Sequence, residues 1–346
     1  MVSDKSKKAL DTLFGASPPR ELKLSYSRIS DFYKNGPQAL IKRSFIDGEG
    51  VRIGSLTDDL LYSKLVNSSH FNNLYYIYDG GKPTATLGKL VNIIIESNKK
   101  IPTIKQILQI VKKNSFWSNI VKEDTLITKF DNKQFWAYLT AYYTAKGKVI
   151  VGTDDYAKAE DLVNILLTHE YSKDLFIETD ETITLYQYPI KFEYNGFILR
   201  GILDFLKIDH KNKTVRPIDL KTGKDDPEFF SSSFIKFRYD LQEAVYTLAF
   251  DHICKELSLE GYTLLPFQFL YISRYEKTPI IYEVPEKWHI ASKQGYTLNG
   301  RHIKGLYELI DDIKWHWDNK IFDKSRSMYE NKGKLVLNDD FITIKT

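Results

Sequence analysis

The spacing of apolar residues divides the chain into a helical part and a part made of strands. Between about residues 84 and 180, apolar positions recur at intervals of three and four, the period of an amphipathic helix. From about residue 182 the pattern changes to alternation, and β-branched and aromatic residues become frequent, as is typical of strands. The pattern therefore predicts a helical insertion or subdomain over residues 71–181. The clearest helical segments are 87–100, 103–114, 133–146 and 155–170, with Thr103 and Asp154 as N-caps.

Two short helices are predicted ahead of this region. Residues 1–22 are polar and rich in lysine, and we interpret them as a loose lead-in. The first helix begins after Ser25 or Ser27, whose hydroxyl could cap it, and the run NGP at 35–37 ends it. The second helix covers residues 54–66, where the apolar residues follow the spacing of one helical face.

The region after residue 182 has the signals of a three-stranded meander. Asn195-Gly196 lies between two alternating runs, and this dipeptide is the strongest short-range signal of a two-residue hairpin turn. A polar stretch at 210–213 marks a second turn, and a third strand follows at 215–222. Three neighbouring strands joined by short turns are therefore expected.

The segments after the meander complete a mixed α/β core. This core takes residues 23–70 and 182–346, and its elements follow the order helix, three strands, helix, strand. A further strand and a helix are appended to it. The predicted segments are a polar loop at 224–237, a helix at 238–257, strands at 264–276 and 279–286, and a closing helix at 305–320.

Composition places the chain among globular proteins. Of its 346 residues 42% are apolar, which suffices for a sizeable core, and 49 Lys and Arg against 45 Asp and Glu leave a net charge of +4. The chain contains no apolar run long enough to cross a membrane and no signal-peptide pattern. We therefore expect a soluble, cytoplasmic protein. The near balance of charge leaves the class of partner to local chemistry.

Cysteine usage excludes several classes of site. Cys254 is the only cysteine of the chain. An internal disulfide, a cysteine-based zinc site and a cysteine-ligated iron–sulfur cluster are therefore impossible.

Two aspartates and a lysine are the strongest candidates for chemistry. Asp204 lies near the end of the second predicted strand, Asp219 near the end of the third, and Lys221 two positions later. Residues i and i+2 of a strand point to the same face, so Asp219 and Lys221 should converge. An isolated D-x-K is commonly a solvated ion pair, but these charges lie on apolar strands, where they are costly unless used or paired. Such carboxylates suit Mg²⁺ or Mn²⁺, which lower the pKa of a bound water and stabilise charge on a phosphodiester.

Two weaker features lie at suitable places around this set. Gln242 and Tyr246 are four residues apart, so they share one face of the helix after the meander, although a pair of this kind is commonly ordinary helix surface. Gly54 opens the second predicted helix, and Asp58 is a carboxylate near its N-terminal turn, where simple capping is the alternative.

In this order, the features resemble the motifs of the RecB-like branch of the PD-(D/E)XK nuclease superfamily, with the closest similarity to phage and RecE-like exonucleases. The resemblance covers about 25–70 and 182–285 and implies a restriction-endonuclease-like core of the order α-β-β-β-α-β. The motifs that carry it are GSLTD at 54–58, GILD at 201–204, DLKTG at 219–223, and Gln242 with Tyr246.

The resemblance implies a metal site. A Mg²⁺ or Mn²⁺ ion would be bound by Asp58, Asp204 and Asp219, assisted by the carbonyl of Leu220. One position departs from the family pattern, because the branch commonly has histidine where this chain has Asp58. An aspartate can still bind a hard cation, so the predicted ligand set is retained.

The resemblance also implies roles for three other side chains. Lys221 would be the catalytic lysine, while Gln242 and Tyr246 would order the site and approach DNA. Relatives that hold an iron–sulfur cluster are excluded by the single cysteine. The phosphate-binding pattern G-x-x-x-x-G-K-[ST] is absent as well, so a fused helicase motor is excluded.

Basic residues near the motifs are candidates for DNA contacts, although each of them alone is commonly a solvated charge. Aromatic residues of the predicted insertion could stack on a separated strand, but core packing is the favoured interpretation. The basic candidates are Lys221, Lys224, Lys236, Arg238, Arg200, Arg274, Arg43 and Arg52, and the aromatic ones are Phe116, Trp117, Phe135 and Trp136.

The resemblance predicts a Mg²⁺-dependent DNA exonuclease that supplies single-stranded DNA for phage-type recombination or replication, in the host cytoplasm if a phage encodes it. The expected partners are DNA and a single-strand-annealing or single-strand-binding protein, with no membrane and no iron–sulfur cluster. Two alternatives stay open: a DNA-binding or assembly protein that keeps the fold without catalysis, and an endonuclease of the same fold. Polarity, strand preference and oligomeric state are left open.

Overall fold

The computed structural model describes residues 22–42, 48–66 and 68–334. Within them the chain forms two compact units, one made of the sequence up to Val51 and from Ile165 onward, the other of Arg52–Asn164. We call them the core unit and the helical unit. The predicted lead-in at 1–22 lies outside the described residues except for Leu22. In the part of the chain that the structure describes, no helix has the length and apolar character needed to span a bilayer.

Strands and helices follow one another along the whole described chain. The strands are β1 (Lys23–Leu24), β2 (Tyr75–Tyr78), β3 (Val149–Gly152), β4 (Thr182–Tyr194), β5 (Phe197–Asp209), β6 (Thr214–Gly223), β7 (Thr263–Leu264), β8 (Gln268–Ser273), β9 (Ile280–Glu283), β10 (Tyr296–Leu298) and β11 (Arg301–Ile303). The helices are α1 (Tyr26–Asn35), α2 (Glu49–Leu65), α3 (His70–Leu74), α4 (Ala85–Ser97), α5 (Ile104–Lys113), α6 (Glu123–Phe130), α7 (Lys133–Thr144), α8 (Thr153–Thr168), α9 (Phe230–Phe237), α10 (Tyr239–Leu248), α11 (Phe250–Glu256), α12 (Glu286–Gln294), α13 (Leu306–Asn319) and α14 (Arg326–Glu330). Short 3₁₀ turns cover Pro37–Leu40, Lys173–Phe176 and Pro227–Phe229.

The core unit is built on one mixed sheet of seven strands. Its main order is β1-β5-β6-β8-β9, with β4 on the other side of β5 and β7 beside β6. Strands β4, β5 and β6 form an antiparallel meander, β6 and β8 are parallel, and β8 and β9 are antiparallel. A mixed sheet flanked by helices is the predicted fold class, which is therefore confirmed.

The first turn of the meander follows directly from its sequence. Tyr194 pairs with Phe197, so Asn195 and Gly196 alone make the turn. Both turn residues have positive φ, 49° and 77°. A turn with two consecutive left-handed residues matches the right-handed twist of the flanking strands. The predicted hairpin at Asn195-Gly196 is confirmed.

The meander opens at one point, and that point positions the site. The ladder between β5 and β6 runs from Asp209 and Thr214 to Phe205 and Ile218 and then stops. Beyond it, β5 pairs with β1 around Leu199, while β6 continues beside β8 as far as Gly223. The two strands therefore separate next to Phe205 and Ile218, on the side away from the second turn.

Helices cover the sheet through their apolar faces. Leu241 and Val245 of α10 are fully buried, as is Leu203 on β5, and all three belong to one hydrophobic cluster. At the start of the unit, the Ser25 hydroxyl accepts a hydrogen bond of 3.4 Å from the backbone N–H of Arg28, and Gly36 follows the last residue of α1. The predicted cap and end of the first helix are confirmed.

Several predicted boundaries are wrong. The helix expected over 238–257 is two helices, α10 and α11, and Arg238 precedes them in a left-handed conformation with φ of 59°. The loop expected at 224–237 contains α9, because Phe230 and Phe234 are four residues apart and bury one helical face. Asp154 does not cap α8, since that helix begins at Thr153.

The helix expected over 54–66 begins earlier than predicted. Helix α2 starts at Glu49, so Gly54 lies inside it and Asp58 lies beyond its first turn. A glycine inside a helix costs up to about 1 kcal/mol. The burial of Ile53 and Leu56 on either side of this glycine favours the longer helix.

The helical unit has a hydrophobic core of its own. Phe130 of α6 and Phe135 of α7 are completely buried in it, and Trp136, Phe116 and Trp117 pack against it. The interpretation of the aromatic residues as core packing is confirmed. Strands β2 and β3 pair in parallel within this unit, and the sequence analysis missed both because each has only four residues.

Candidate active site

Two carboxylates meet where β5 and β6 separate. The last ladder pair of the two strands is Phe205 with Ile218; Asp204 immediately precedes Phe205, and Asp219 immediately follows Ile218. The backbone N–H of Leu220 donates a hydrogen bond of 2.8 Å to Oδ2 of Asp204, so a carboxylate replaces the missing ladder contact. Asp219 is 2% exposed, and Asp204 is partly buried. The predicted pair is brought together by strand register.

Lys221 completes the set on the same face of β6. Its ammonium group forms an ion pair with Oδ2 of Asp219, as the two-residue spacing predicts. The Nζ atom also lies 4.8 Å from the centre of the Tyr239 ring, within the range of a cation–π contact. Two acids and one base therefore share a small, largely buried space.

The electrostatics of this space are dominated by burial. Burial and the neighbouring Asp219 raise the pKa of Asp204 to about 8. Burial also raises the pKa of Asp219, although Lys221 opposes the shift. For Lys221, burial lowers the pKa, but the charges of Asp219 and other neighbours outweigh it and raise the pKa above the ordinary value. One ammonium thus compensates one of the two carboxylates.

The Gln242 and Tyr246 pair lies on α10 and reaches the carboxylates. Nε2 of Gln242 donates a hydrogen bond of 2.5 Å to Oδ1 of Asp219 and lies 3.3 Å from Oη of Tyr246. Tyr246 Oη in turn donates a hydrogen bond of 2.8 Å to the carbonyl of Ile202 on β5. Hydrogen bonds therefore connect helix α10 to both strands that carry the aspartates.

Gly201 makes room for this arrangement. A Cβ atom at position 201 would lie 2.5 Å from Cε1 of Tyr246, which is closer than real Cβ contacts allow. The glycine at the start of the GILD motif therefore has a steric reason, because any larger residue would displace the Tyr246 ring.

Gln187 is a site residue that the sequence analysis missed. It lies on β4 between the ladder pairs Tyr186–Phe205 and Tyr188–Leu203, directly opposite Asp204. Its Nε2 donates a hydrogen bond of 3.2 Å to Oδ1 of Asp204, and its φ is 51° in the middle of a strand. Counting back from the two-residue turn pairs position 187 with position 204, so register was the signal that could have found it.

Replacing Gln187 with glycine should show whether this residue contributes to the stability of the protein or to its activity. Glycine adopts a positive φ without steric cost, which offsets its own conformational entropy, so the free energy of unfolding should change by less than about 1 kcal/mol. Removal of the hydrogen bond to a carboxylate should lower the activity that the resemblance predicts about tenfold. Urea unfolding measures the stability, and an assay of the predicted DNA hydrolysis measures the activity. A large loss of stability with unchanged activity per folded molecule would contradict a positioning role for Gln187.

The donor set fits a divalent cation. Two adjacent, largely buried carboxylates with raised pKa values and a single compensating ammonium favour additional positive charge between them. Carboxylate oxygens and the Leu220 carbonyl are the hard ligands that Mg²⁺ and Mn²⁺ prefer. Among the described residues, His, Cys, Asp and Glu form no group of three or more that could hold a metal ion. Asp58 belongs to the helical unit, and its role as a ligand stays a prediction.

The basic residues predicted near the motifs have different environments. Arg200, Lys224 and Lys236 are exposed. Arg274 is half-buried beside Glu49, with 3.8 Å between Nη1 and the carboxylate, and donates to the carbonyl of Gly223.

Two other arginines predicted as DNA contacts, Arg52 and Arg43, do not lie among the described residues of the core unit. Arg52 pairs with Asp155 within the helical unit, with 3.5 Å between Nε and the carboxylate. Arg43 lies outside the described residues.

Arg238 differs from its prediction as a DNA contact. Its side chain is 3% exposed, and Nε donates a hydrogen bond of 2.9 Å to Asp240, which is completely buried. Nη2 donates to the carbonyl of Lys304 at 2.7 Å, and the guanidinium lies 4.2 Å from the centre of the Tyr33 ring. Because these contacts use the cation inside the protein, it is not presented to a phosphate.

A cavity of about 630 Å³ in the core unit shares Tyr239 with the Lys221 contact. Tyr26 also lines it and donates a hydrogen bond of 2.8 Å to the carbonyl of Phe237. The basic residues of its wall are Lys23, Arg28, Lys34 and Arg200.

Fold and site together define a nuclease-type core. Its meander brings two carboxylates and a lysine to one opening in the sheet, where Gln242 of α10 contacts Asp219 and is itself in contact with Tyr246. The family model of the PD-(D/E)XK nuclease superfamily matches residues 133–308, just over half of the chain. The chain belongs to this superfamily, as predicted. Nucleases of this superfamily generally use divalent metals such as Mg²⁺.

Other comparisons add little. No relative was found among curated protein sequences. Among solved structures, the crystal structure of a "Putative exonuclease" from Eubacterium rectale is 12% identical, with 97% of this chain and 88% of that chain covered and a TM-score of 0.41. A likeness of this extent carries no argument about function.

Proposed function

We propose that the protein is a Mg²⁺-dependent deoxyribonuclease that hydrolyses DNA phosphodiester bonds as an exonuclease. The observation that carries the proposal is the convergence of Asp204, Asp219 and Lys221 where β5 and β6 separate, in a chain of a nuclease superfamily.

The residues of the site would have different roles in cation binding and in hydrolysis. Asp204 and Asp219, with the Leu220 carbonyl, would hold the cation, and Asp58 is proposed as a further ligand. A bound divalent cation lowers the pKa of a water and stabilises the charge that develops on a phosphodiester. Lys221 brings a positive charge to the same space, where it can neutralise a phosphate oxygen or orient the attacking water.

Gln242 and Tyr246 would act by positioning. The hydrogen bond from Gln242 fixes one oxygen of Asp219, and Tyr246 ties the same helix to β5 through the carbonyl of Ile202. A carboxylate held in this way needs no reorganisation when it binds a cation, which is the advantage of a preorganised site.

The basic cavity supports DNA as the substrate. Its wall combines the cations of Lys34 and Arg200 with the rings of Tyr26 and Tyr239. Cations attract the phosphate backbone, and aromatic rings stack on bases of a single strand. Because Tyr239 also contacts Lys221, a strand that entered this cavity would come close to the carboxylates.

The finer parts of the proposal follow from the resemblance to phage and RecE-like exonucleases. It supports exonuclease action, a role in phage-type recombination or replication, and cooperation with a single-strand-annealing or single-strand-binding protein. The RecB-like branch itself is proposed on the same motifs.

The choice between exonuclease, endonuclease and inactive binding protein can be made with two forms of one plasmid. We expect the linear duplex to be shortened from its ends in Mg²⁺ and the covalently closed circle to stay intact, with neither changed in EDTA. Cutting of the closed circle would replace the exonuclease with an endonuclease. DNA binding without cleavage, equal in Mg²⁺ and EDTA, would support the inactive binding protein instead.

A further inference from the structure

Positive charge is concentrated in one segment of the chain, although the charges of the whole chain nearly balance. Residues 82–148, all within the helical unit, contain twelve lysines, no arginine and four acidic residues. This segment therefore has a formal charge of +8, whereas the whole chain has +4, so the remaining residues carry a net −4. The excess positive charge of the protein thus belongs to one part of the helical unit.

All of these lysines face solvent. Each of the twelve is exposed. Six of them lie on α4, α5, α6 and α7, whose apolar faces are already used in the core of the unit. Within residues 82–148, all of which are described, the one ion pair joins Lys112 to Glu123. The twelve are Lys82, Lys89, Lys99, Lys100, Lys105, Lys112, Lys113, Lys122, Lys129, Lys133, Lys146 and Lys148.

Helix α5 shows how the positive charge is presented. Lys105 and Lys112 are seven residues apart, which places them on one face, while Ile107 and Val111 are completely buried on the other. The capping box formed by Thr103 and Gln106 fixes the start of this helix. A rigid helix with lysines near both ends offers point charges spread over about two turns.

The chemistry of the surface selects its partner. Lysine is a point charge without the planar, bidentate fork of arginine, and the segment contains no arginine. A polyanion with regularly spaced phosphates satisfies scattered point charges and is bound without regard to sequence. A membrane-inserting helix would need a free apolar face, but that of α5 is buried in the protein.

We infer that the helical unit carries a second DNA-binding surface, formed by the exposed lysines of residues 82–148, which holds the phosphate backbone independently of sequence. The inference rests on the proposed function, because it supplies a second contact with the same substrate. Its consequence is that part of the DNA affinity should be independent of the metal and of the carboxylate site.

The test measures DNA binding by the full-length protein in EDTA, where no cleavage occurs. In one variant Lys100, Lys105, Lys113 and Lys129 are replaced by glutamine. Fluorescence anisotropy of a labelled duplex at several salt concentrations gives the slope of log K against log[salt]. We expect affinity to fall about tenfold or more and the slope to become shallower by about 0.9 for each phosphate that the variant no longer neutralises.

Two matched variants control the charge and the fold. Arginine at the same four positions keeps the charge and should retain wild-type binding. Glutamine at four exposed lysines of the core unit removes the same charge and should leave most of the affinity. The control positions are Lys191, Lys255, Lys287 and Lys324.

The outcomes separate this inference from the proposed nuclease. Equal affinities for the wild type and the first variant, or equal losses in both glutamine variants, would overturn the inference even if the protein cleaves DNA. Loss of binding to anionic lipid vesicles with unchanged DNA binding would also overturn it, in favour of a membrane surface. Selective loss of DNA binding in the first variant would support it even if no cleavage were found.

Discussion

The Asp219→Asn variant should lose about 10³-fold or more of the DNA hydrolysis rate while it stays folded. Asp219 contributes a carboxylate to the space that would hold the cation, and its loss should remove about 4 kcal/mol of transition-state stabilisation. Asparagine has the same shape, and its one oxygen can still accept a hydrogen bond from Lys221. Its N–H₂ group replaces the oxygen that accepts from Gln242, and it can donate to Oε1 of Gln242 once that amide turns over. Asp204 remains as a countercharge for Lys221. The initial rate of nucleotide release from linear duplex DNA in Mg²⁺ measures the effect.

A matched control for this variant is Asp251→Asn. Asp251 lies exposed on α11, where the substitution makes the same chemical change at the surface, so its activity should stay within a factor of about two of the wild type. Thermal unfolding should show both variants folded. If Asp219→Asn were folded and retained more than a tenth of the wild-type rate, the carboxylate would not be part of the reaction.

The Lys221→Met variant should lose about 10²-fold in rate but keep its affinity for the metal. Removing one preorganised cation from a reacting phosphate costs a factor of this size. Lys221 occupies one oxygen of Asp219 with an ion pair, so its removal leaves that carboxylate more available to a divalent ion. Methionine also fills the space beside the Tyr239 ring with an apolar side chain of similar length.

Titration with Mn²⁺ separates the two variants. Calorimetry should show equal or tighter binding to Lys221→Met than to the wild type, and much weaker binding to Asp219→Asn. Loss of metal binding in Lys221→Met would mean that the lysine supports the structure of the site rather than the chemistry.

Local rules explain how much of the site the sequence could predict. The turn at Asn195-Gly196 depends on two adjacent residues, and the convergence of Asp219 and Lys221 depends on the two-residue period of a strand. The four-residue spacing of Gln242 and Tyr246 likewise places both on one helical face. Each of these relations is short in sequence, so a single sequence contains it.

Features that depend on distant parts of the chain were not predictable in this way. Arg238 was expected at the surface because arginine usually is, but its partners include the carbonyl of Lys304, far along the chain. The opening between β5 and β6 depends on β1 and β8, each of which pairs with one of the two strands. Gln187 differs from these features, because counting back from the Asn195-Gly196 turn places it opposite Asp204, so this contact could have been predicted from the sequence.

Helix boundaries failed for a different reason. The helix predicted over 54–66 from its apolar spacing begins earlier, because the burial of Ile53 and Leu56 extends α2 through Gly54 to Glu49. Tertiary packing overrides intrinsic propensity at such positions. The assignment of Asp58 to the first turn depended on the same assumption and was wrong with it.

Hydrolysis restored by metal in a single sample tests the central claim most directly. The purified protein is mixed with linear duplex DNA in EDTA, and excess Mg²⁺ is added while acid-soluble nucleotide is measured, with Asp219→Asn run in parallel. We predict no release in EDTA, release as soon as Mg²⁺ is in excess, and none above background from the variant. Equal release before and after Mg²⁺, or equal release by the wild type and the variant, would contradict a metal-dependent nuclease centred on Asp204 and Asp219.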